Sequence, residues 1–434
     1  MKRLVAIVAV VIVIGAITLA VLNRTDPAAG TAPAITGAPR EADIVVRGEY
    51  LAKAADCTAC HTVPGSGKPF AGGVAFKLPF GTIYSSNITP DVKTGIGAYS
   101  DDEFVRAVRE GVRRDGRHLY PAFPYTSYTQ LSRGDVLAIK AYLATLPAIS
   151  QPNRPNGLSF PFNQRWAMAF WNAIFFKSQR FAADPTKSAQ WNSGAYLATA
   201  LGHCGECHTP RNFGFGLRHD RELAGEELQG WRAYNITSDT KHGIGSWSDA
   251  DIRSYLTTGY VPERASASGP MGEAVEHSLQ FLKADDAAAL ATFLRTVPPR
   301  QGTNPVEIDP KPPMLAASTG TLPAPDELHT DSQGLRLFAS ACASCHQWTG
   351  QGRQSPYASL AGSRGVNDVS AANVTQIILQ GVRMRVNDTD VYMPAFGDAY
   401  SDEEVAALAN YVVAHFGGKQ GTVTPNDVVK RRML

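Results

Sequence analysis

The chain's six cysteines fall into three pairs: Cys57 and Cys60, Cys204 and Cys207, Cys342 and Cys345. Two residues separate the members of each pair, and a histidine follows at once: His61, His208 and His346. One helical turn at this spacing presents two thiols and an imidazole to a single macrocycle. The sulfurs can add to two vinyl groups while the histidine is held beneath a central iron, which is the attachment signature of a c-type haem. A zinc site usually needs a second Cys/His pair nearby. A redox dithiol sits in a βαβ pattern and needs no following histidine. Three copies that use every cysteine fit neither, so the motifs predict three covalently bound haems c.

The motifs sit in an internal repeat, which is sought before any fold. Gly48-Glu49-Tyr50-Leu51-Ala52 leads into the first motif, Gly194-Ala195-Tyr196-Leu197-Ala198 into the second and Gly334-Leu335-Arg336-Leu337-Phe338 into the third, each with apolar residues at helical spacing. Asn87-Ile88-Thr89 recurs as Asn235-Ile236-Thr237, and Gly95-Ile96-Gly97 as Gly243-Ile244-Gly245. The Asn-x-Thr triplets resemble glycosylation sequons, but their place in a repeat favours a structural loop. Ser100, Ser248 and Ser370 are candidate helix caps, with Gly111, Gly259 and Gly381 as stops 11 residues on. An amphipathic helix closes each copy: Val136 to Leu146, Asp286 to Val297 and Val405 to Phe416, with Pro147 and Pro298 ending the first two. The expected unit is small and all-helical.

A c-type iron often takes methionine on its other face, which raises the reduction potential. Twelve residues beyond Gly259 lies Met271, and twelve beyond Gly381 lies Met393. The shared register makes both candidate ligands rather than core filler. The first copy has Phe123 at this position, which cannot ligate iron, and no methionine occurs between Met1 and Met168. His118 is the candidate for that iron; otherwise it is five-coordinate or borrows a ligand. His203, His219, His242, His277, His329 and His415 share no register and read as structural or surface residues.

Lys2 and Arg3 precede Leu4 to Leu22, 19 residues with Thr18 as the one polar member. A secretory core is usually about 7–15 residues and a spanning helix about 20, so the run fits an uncleaved signal-anchor better than a cleaved signal. Small residues after it leave cleavage open. The basic flank favours a cytoplasmic N-terminus, which places the rest on the periplasmic side of a bacterial inner membrane. A length of 434 residues suggests two to four domains, and a net charge of +2 does not advertise nucleic-acid binding.

The resulting organisation is mostly α: three tandem class I-like cytochrome c domains behind one N-terminal transmembrane helix. The boundaries are 1–25 for the anchor, 26–43 for a linker, 44–150 for the first domain and 151–190 for an aromatic-rich linker. The second domain is 191–300, a Pro-rich linker 301–328, the third domain 329–418 and a basic tail 419–434. Trp166, Phe170, Trp171, Phe175 and Phe176, edged by Arg165 and Lys177, suit inter-domain packing, a membrane interface or a quinone pocket. Lys430-Arg431-Arg432 reads as a solvated end. No nucleotide loop, nucleophile elbow or metalloprotease helix is present, so no substrate chemistry is expected on this chain.

The three motifs, with Ser86-Asn87-Ile88-Thr89-Pro90, Leu119-Tyr120-Pro121-Ala122 and Gly202-His203-Cys204-Gly205-Glu206-Cys207-His208-Thr209-Pro210, make the chain resemble the triple-haem cytochrome c subunits of membrane-bound bacterial dehydrogenases. That group serves alcohol, gluconate, sorbitol and aldehyde dehydrogenases. The resemblance implies electron transfer from a separate catalytic subunit to ubiquinone in a respiratory chain, and anchoring of the complex on the membrane. Phe123 and the long anchor resemble the branch paired with molybdopterin aldehyde dehydrogenases, which work through a small iron–sulfur subunit. Flavin and pyrroloquinoline quinone (PQQ) partners stay open, as do a haem enzyme using the first haem and a freestanding shuttle.

Overall fold

In each of the three repeats an opening helix crosses a closing helix at a glycine. The structure, a computed structural model, describes residues 43–307 and 333–433. The opening helices are Ile44–Ala54, Ala189–Tyr196 and Gln333–Leu337; the closing ones are Arg133–Leu143, Ala284–Leu294 and Asp402–Gly417. A Cβ on Gly48, Gly194 or Gly334 would lie 1.8, 1.9 or 2.3 Å from the carbonyl oxygen of Ala138, Ala289 or Ala407. Only glycine lets the two backbones approach this closely.

The closing helices start about a turn before the apolar periodicity does. Ser132 and Ser401 accept from the backbone N–H of Asp135 and Glu404, so the first turn is polar and escapes a pattern search. The first two end at Leu143 and Leu294, short of the prolines. The middle helices Asp101–Glu110 and Asp249–Thr258 carry full capping boxes, Ser100 with Glu103 and Ser248 with Asp251. They stop at Gly111 (φ 64°) and Gly259 (φ 73°). Ser370 does not cap the third, contrary to expectation. Its hydroxyl donates to Asp368 at 2.7 Å, and helix Ala372–Gln380 starts after Ala371.

The units are not all-helical. Antiparallel hairpins pair Ala75–Leu78 with Gly81–Tyr84, Glu226–Leu228 with Trp231–Ala233, and Val382–Val386 with Thr389–Met393. Gly157–Leu158 adds a third strand to the first hairpin. The segment 151–190 is therefore not a free linker. It holds helix Met168–Phe175 and is bonded to the first unit by Phe181 N–H to the Gln130 carbonyl and by the Tyr125 hydroxyl to buried Asn172.

One apolar core runs through the first two units, joining Leu51, Val136 and Leu143 to Tyr196, Leu201, Leu290 and Leu294. A separate core built on Phe338, Val405, Leu408, Val413 and Phe416 serves the third. Met384, Val386 and Val391 of the third unit's hairpin pack on Ala267 and Val275 of the second. The basic tail is docked rather than solvated. In helix Pro425–Arg432, Arg431 pairs with Glu227 at 2.9 Å and Arg432 with Asp402 at 2.6 Å. Among the described residues no helix is long and apolar enough to cross a membrane. The run Leu4–Leu22 and most of the Pro-rich linker lie outside those residues.

Candidate haem attachment sites

Each Cys-x-x-Cys-His motif forms one helical turn: Cys57–His61, then Gly205–His208 following Cys204, then Ala343–His346 following Cys342. In each, the histidine Nδ1 donates to a backbone carbonyl. His61 uses Ser86 at 2.7 Å, His208 uses Tyr234 at 2.6 Å and His346 uses Ala358 at 2.7 Å. Burial pushes all three imidazoles down, His208 to about 4. The rings are therefore neutral at pH 7 and keep the Nε2 lone pair, the state an iron ligand needs.

Five of the six sulfurs are held as protonated thiols. Burial raises Cys57 and Cys60 to about 12 and Cys204, Cys207 and Cys342 to about 11. A redox dithiol or a zinc thiolate needs the opposite shift. Nor do the side chains converge on an ion: among the described residues, no three His, Cys, Asp or Glu could hold one. This donor set fits a macrocycle that supplies its own equatorial ligands, and it suits covalent haem c. When bound, the haem supplies one-electron uptake and release at its iron. The motif cysteines would tether it, and the carbonyls of Ser86, Tyr234 and Ala358 orient the imidazoles that would face its iron.

The repeat register that pairs Asn87 with Asn235 also pairs Ser86 with Tyr234, whose carbonyls hold the first two histidines. That register is the sequence signal for these two positions. Both asparagines are buried and accept from the N–H and hydroxyl of Thr89 or Thr237, at 2.7–2.9 Å. They hold a loop, as expected, and are inaccessible to glycosylation.

The first two motifs face each other. Thr126 and Ser127 of the first unit donate to Glu206, inside the second motif, at 2.5 and 2.9 Å. The Tyr128 hydroxyl reaches the Ala55 carbonyl at 2.9 Å, and Ser278 of the second unit reaches the Ala54 carbonyl at 3.2 Å. Cys207 is close enough to help raise Cys60. No local pattern announces Glu206, Thr126 or Ser127.

The candidate sixth ligands lie in varied settings. Met271 is in the first turn of helix Gly269–His277, partly buried against the cluster around Met384. Met393 ends a strand, opposite Val382. Phe123 packs edge-on to Tyr128, centroids 5.5 Å apart. His118 is bonded to Asn172 at 3.1 Å. The Tyr125 hydroxyl occupies Asn172 Oδ1 at 2.6 Å, so Asn172 Nδ2 is the donor and His118 Nδ1 the acceptor. The ring's proton is then on Nε2.

The third unit reaches the second site with two arginine-bearing contacts. Arg232 pairs with Asp368 at 2.9 Å. Arg364 is 6% exposed and donates to the carbonyls of Asn235, His242 and Gly243 at 3.1, 2.6 and 3.2 Å.

The fold and sites together define a cytochrome c. The sequence profile described as "Cytochrome c" matches residues 45–147, and that of "Cytochrome C oxidase, cbb3-type, subunit III" matches 329–412. The chain is 40% identical to the fructose dehydrogenase cytochrome subunit of Gluconobacter japonicus, over 89% of this chain and 82% of the relative. It is 36% identical to the gluconate 2-dehydrogenase cytochrome c subunit of Pantoea cypripedii, over 90% and 89%. It is 41% identical to one of the nicotinate dehydrogenase subunits of Pseudomonas putida, over 86% of this chain but 30% of that longer one. The chain belongs to the family of cytochrome c subunits of dehydrogenase complexes, and its role is electron transfer.

Proposed function

We propose that the chain carries three haems c and passes electrons from a catalytic dehydrogenase subunit to ubiquinone at the periplasmic face of a bacterial inner membrane. The observation that carries this reading is the same bond made three times: a histidine Nδ1 donating to a backbone carbonyl, on a helical turn that also bears two free thiols. Cys57, Cys60, Cys204, Cys207, Cys342 and Cys345 form the thioethers. His61, His208 and His346 are the proximal ligands, and Met271 and Met393 the sixth ligands of the second and third sites. The first site has an exchangeable sixth position, because His118 must give up Asn172 and move a proton to fill it. Leu4–Leu22 anchors the chain as an uncleaved single-pass helix. Exposed Trp166, Phe170 and Ile174, spaced four apart, support a surface that meets the membrane.

The partner is proposed to be a molybdopterin enzyme with a small iron–sulfur subunit, of the aldehyde dehydrogenase type. Phe123 supports this choice. The relative named for nicotinate dehydrogenase supports a partner outside the sugar and alcohol group. Relatives named for fructose and gluconate favour the second reading, a flavin or PQQ partner.

Purification from membranes in mild detergent, with mass spectrometry and cofactor analysis, tests the assignment. Molybdenum and iron–sulfur in a co-purifying subunit supports it. Flavin or PQQ moves the chain to the second reading, and no partner overturns the subunit role.

A further inference from the structure

Arg364 carries a buried charge that no group among the described residues balances. Such a charge is costly unless an opposite charge or a full set of hydrogen bonds compensates it. Its neighbour Arg232 meets that condition through Asp368 and Glu227, at 2.9 and 3.4 Å. Among the described residues, no carboxylate lies within ion-pair distance of Arg364, and its Nε has no hydrogen-bond partner. One nitrogen, Nη2, makes all three of its side-chain bonds, and they go to neutral carbonyls. The guanidinium lies 5.0 Å from the centre of the Tyr234 ring. Tyr234 is the residue whose carbonyl holds His208. Burial lowers Arg364 to about 10, so it is charged at neutral pH. The residue is supplied by the third unit, while every carbonyl its side chain touches belongs to the second.

We propose that Arg364 sets the reduction potential of the second haem, contributing from the third unit a buried positive charge whose missing counter-anion is a propionate of that haem. This rests on the reading of Cys204, Cys207 and His208 as a haem site. A fixed cation in contact with the loop that holds His208 would disfavour the extra positive charge of a ferric haem there, so Arg364 would raise the potential, and docking of the third unit is what delivers it. A guanidinium whose side-chain bonds all go to neutral carbonyls points to an anion absent from the polypeptide, and carboxylates on the haem have that chemistry.

The test is a spectroelectrochemical titration of the intact protein, after haem stoichiometry and covalent attachment are measured on the wild type. R364M should make reduction of one haem at least tenfold less favourable, a fall of about 59 mV for one electron, with the other two unchanged. R364K, which keeps the charge, should restore most of it. In a C204S/C207S background, R364M should shift neither remaining potential. Three unchanged potentials in folded R364M overturn the proposal. So does an equal loss in R364K, which would make the effect one of packing, and so does a shift that persists without the second haem. Fewer than three haems in the wild type overturns the underlying site reading instead.

Discussion

Tyr196 of the second unit donates its hydroxyl to Asp135 of the first at 2.6 Å, and Tyr50 of the first donates to Asp286 of the second at 2.5 Å. The two tyrosines occupy the same place in the repeat, two residues after Gly48 and Gly194. Each reaches the first turn of the other unit's closing helix. The exchange is reciprocal, and it brackets the core that the two units share.

Removing one hydroxyl should weaken the whole two-unit body. Asp135 is 2% exposed and keeps only Arg47 as a charged partner when Tyr196 is lost. Tyr196→Phe should cost ~1–3 kcal/mol and Tyr50→Phe, at a more exposed position, ~1 kcal/mol. Denaturant titration measures both, and a null effect for Y196F would show that the bond does not couple the units.

The same pairs predict a loss of stability in alkali. Burial raises both phenols above their ordinary value of 10.0, and the facing carboxylates raise them further. A group with a raised folded pKa contributes fully below its unfolded pKa and loses that contribution as pH rises through the folded value. Stability should hold steady up to pH 10 on this account. Above it, buried Tyr196 should lower stability by about 1.4 kcal/mol per pH unit. Denaturation midpoints across this range should flatten in Y50F/Y196F; an unchanged slope would assign the loss elsewhere.

Two separate cores predict two unfolding events. Gly48→Ala and Gly194→Ala force a Cβ to within 1.9 Å of a carbonyl oxygen in the shared core. Each should lower the transition of the first two units together, by ~1–3 kcal/mol or more. Gly334→Ala should lower only the other transition, since its core is separate. Scanning calorimetry resolves the two, and a single transition shifted alike by all three would contradict the division.

On the proposed three-haem reading, ligation at each iron separates by mutation. Met271→Ala and Met393→Ala should each abolish part of the long-wavelength sulfur-to-iron absorption and convert one haem from low to high spin. The wild type should bind cyanide or carbon monoxide at its first haem. His118→Ala should leave the low-spin fraction unchanged; if one haem turns high-spin instead, His118 is its ligand.

The helical turns that bear the Cys-x-x-Cys-His motifs and the caps at Ser100 and Ser248 are legible in the sequence because each is a local pattern with one physical meaning. Ser370 misleads because Ala371 takes the N-cap position in its place, and the Ser370 hydroxyl oxygen accepts from Arg232 of the second unit instead. The hairpins escape because strands of two to five residues leave too short an alternation to detect. Tyr196 with Asp135, Glu206 with Thr126, and Arg364 join residues tens to more than a hundred positions apart, and no spacing rule connects them. The aromatics of 166–176 stand out in the chain, but nothing there shows that Asn172 among them is buried beneath Tyr125.

A carbonyl, unlike a carboxylate, cannot take the proton it is offered. Ser86, Tyr234 and Ala358 therefore keep His61, His208 and His346 as imidazoles and never let them drift toward imidazolate. A neutral ring pushes little electron density onto a metal beneath it, and a strong push is what favours cleaving an oxygen–oxygen bond. All three positions are thereby suited to handing on a single electron and taking it back.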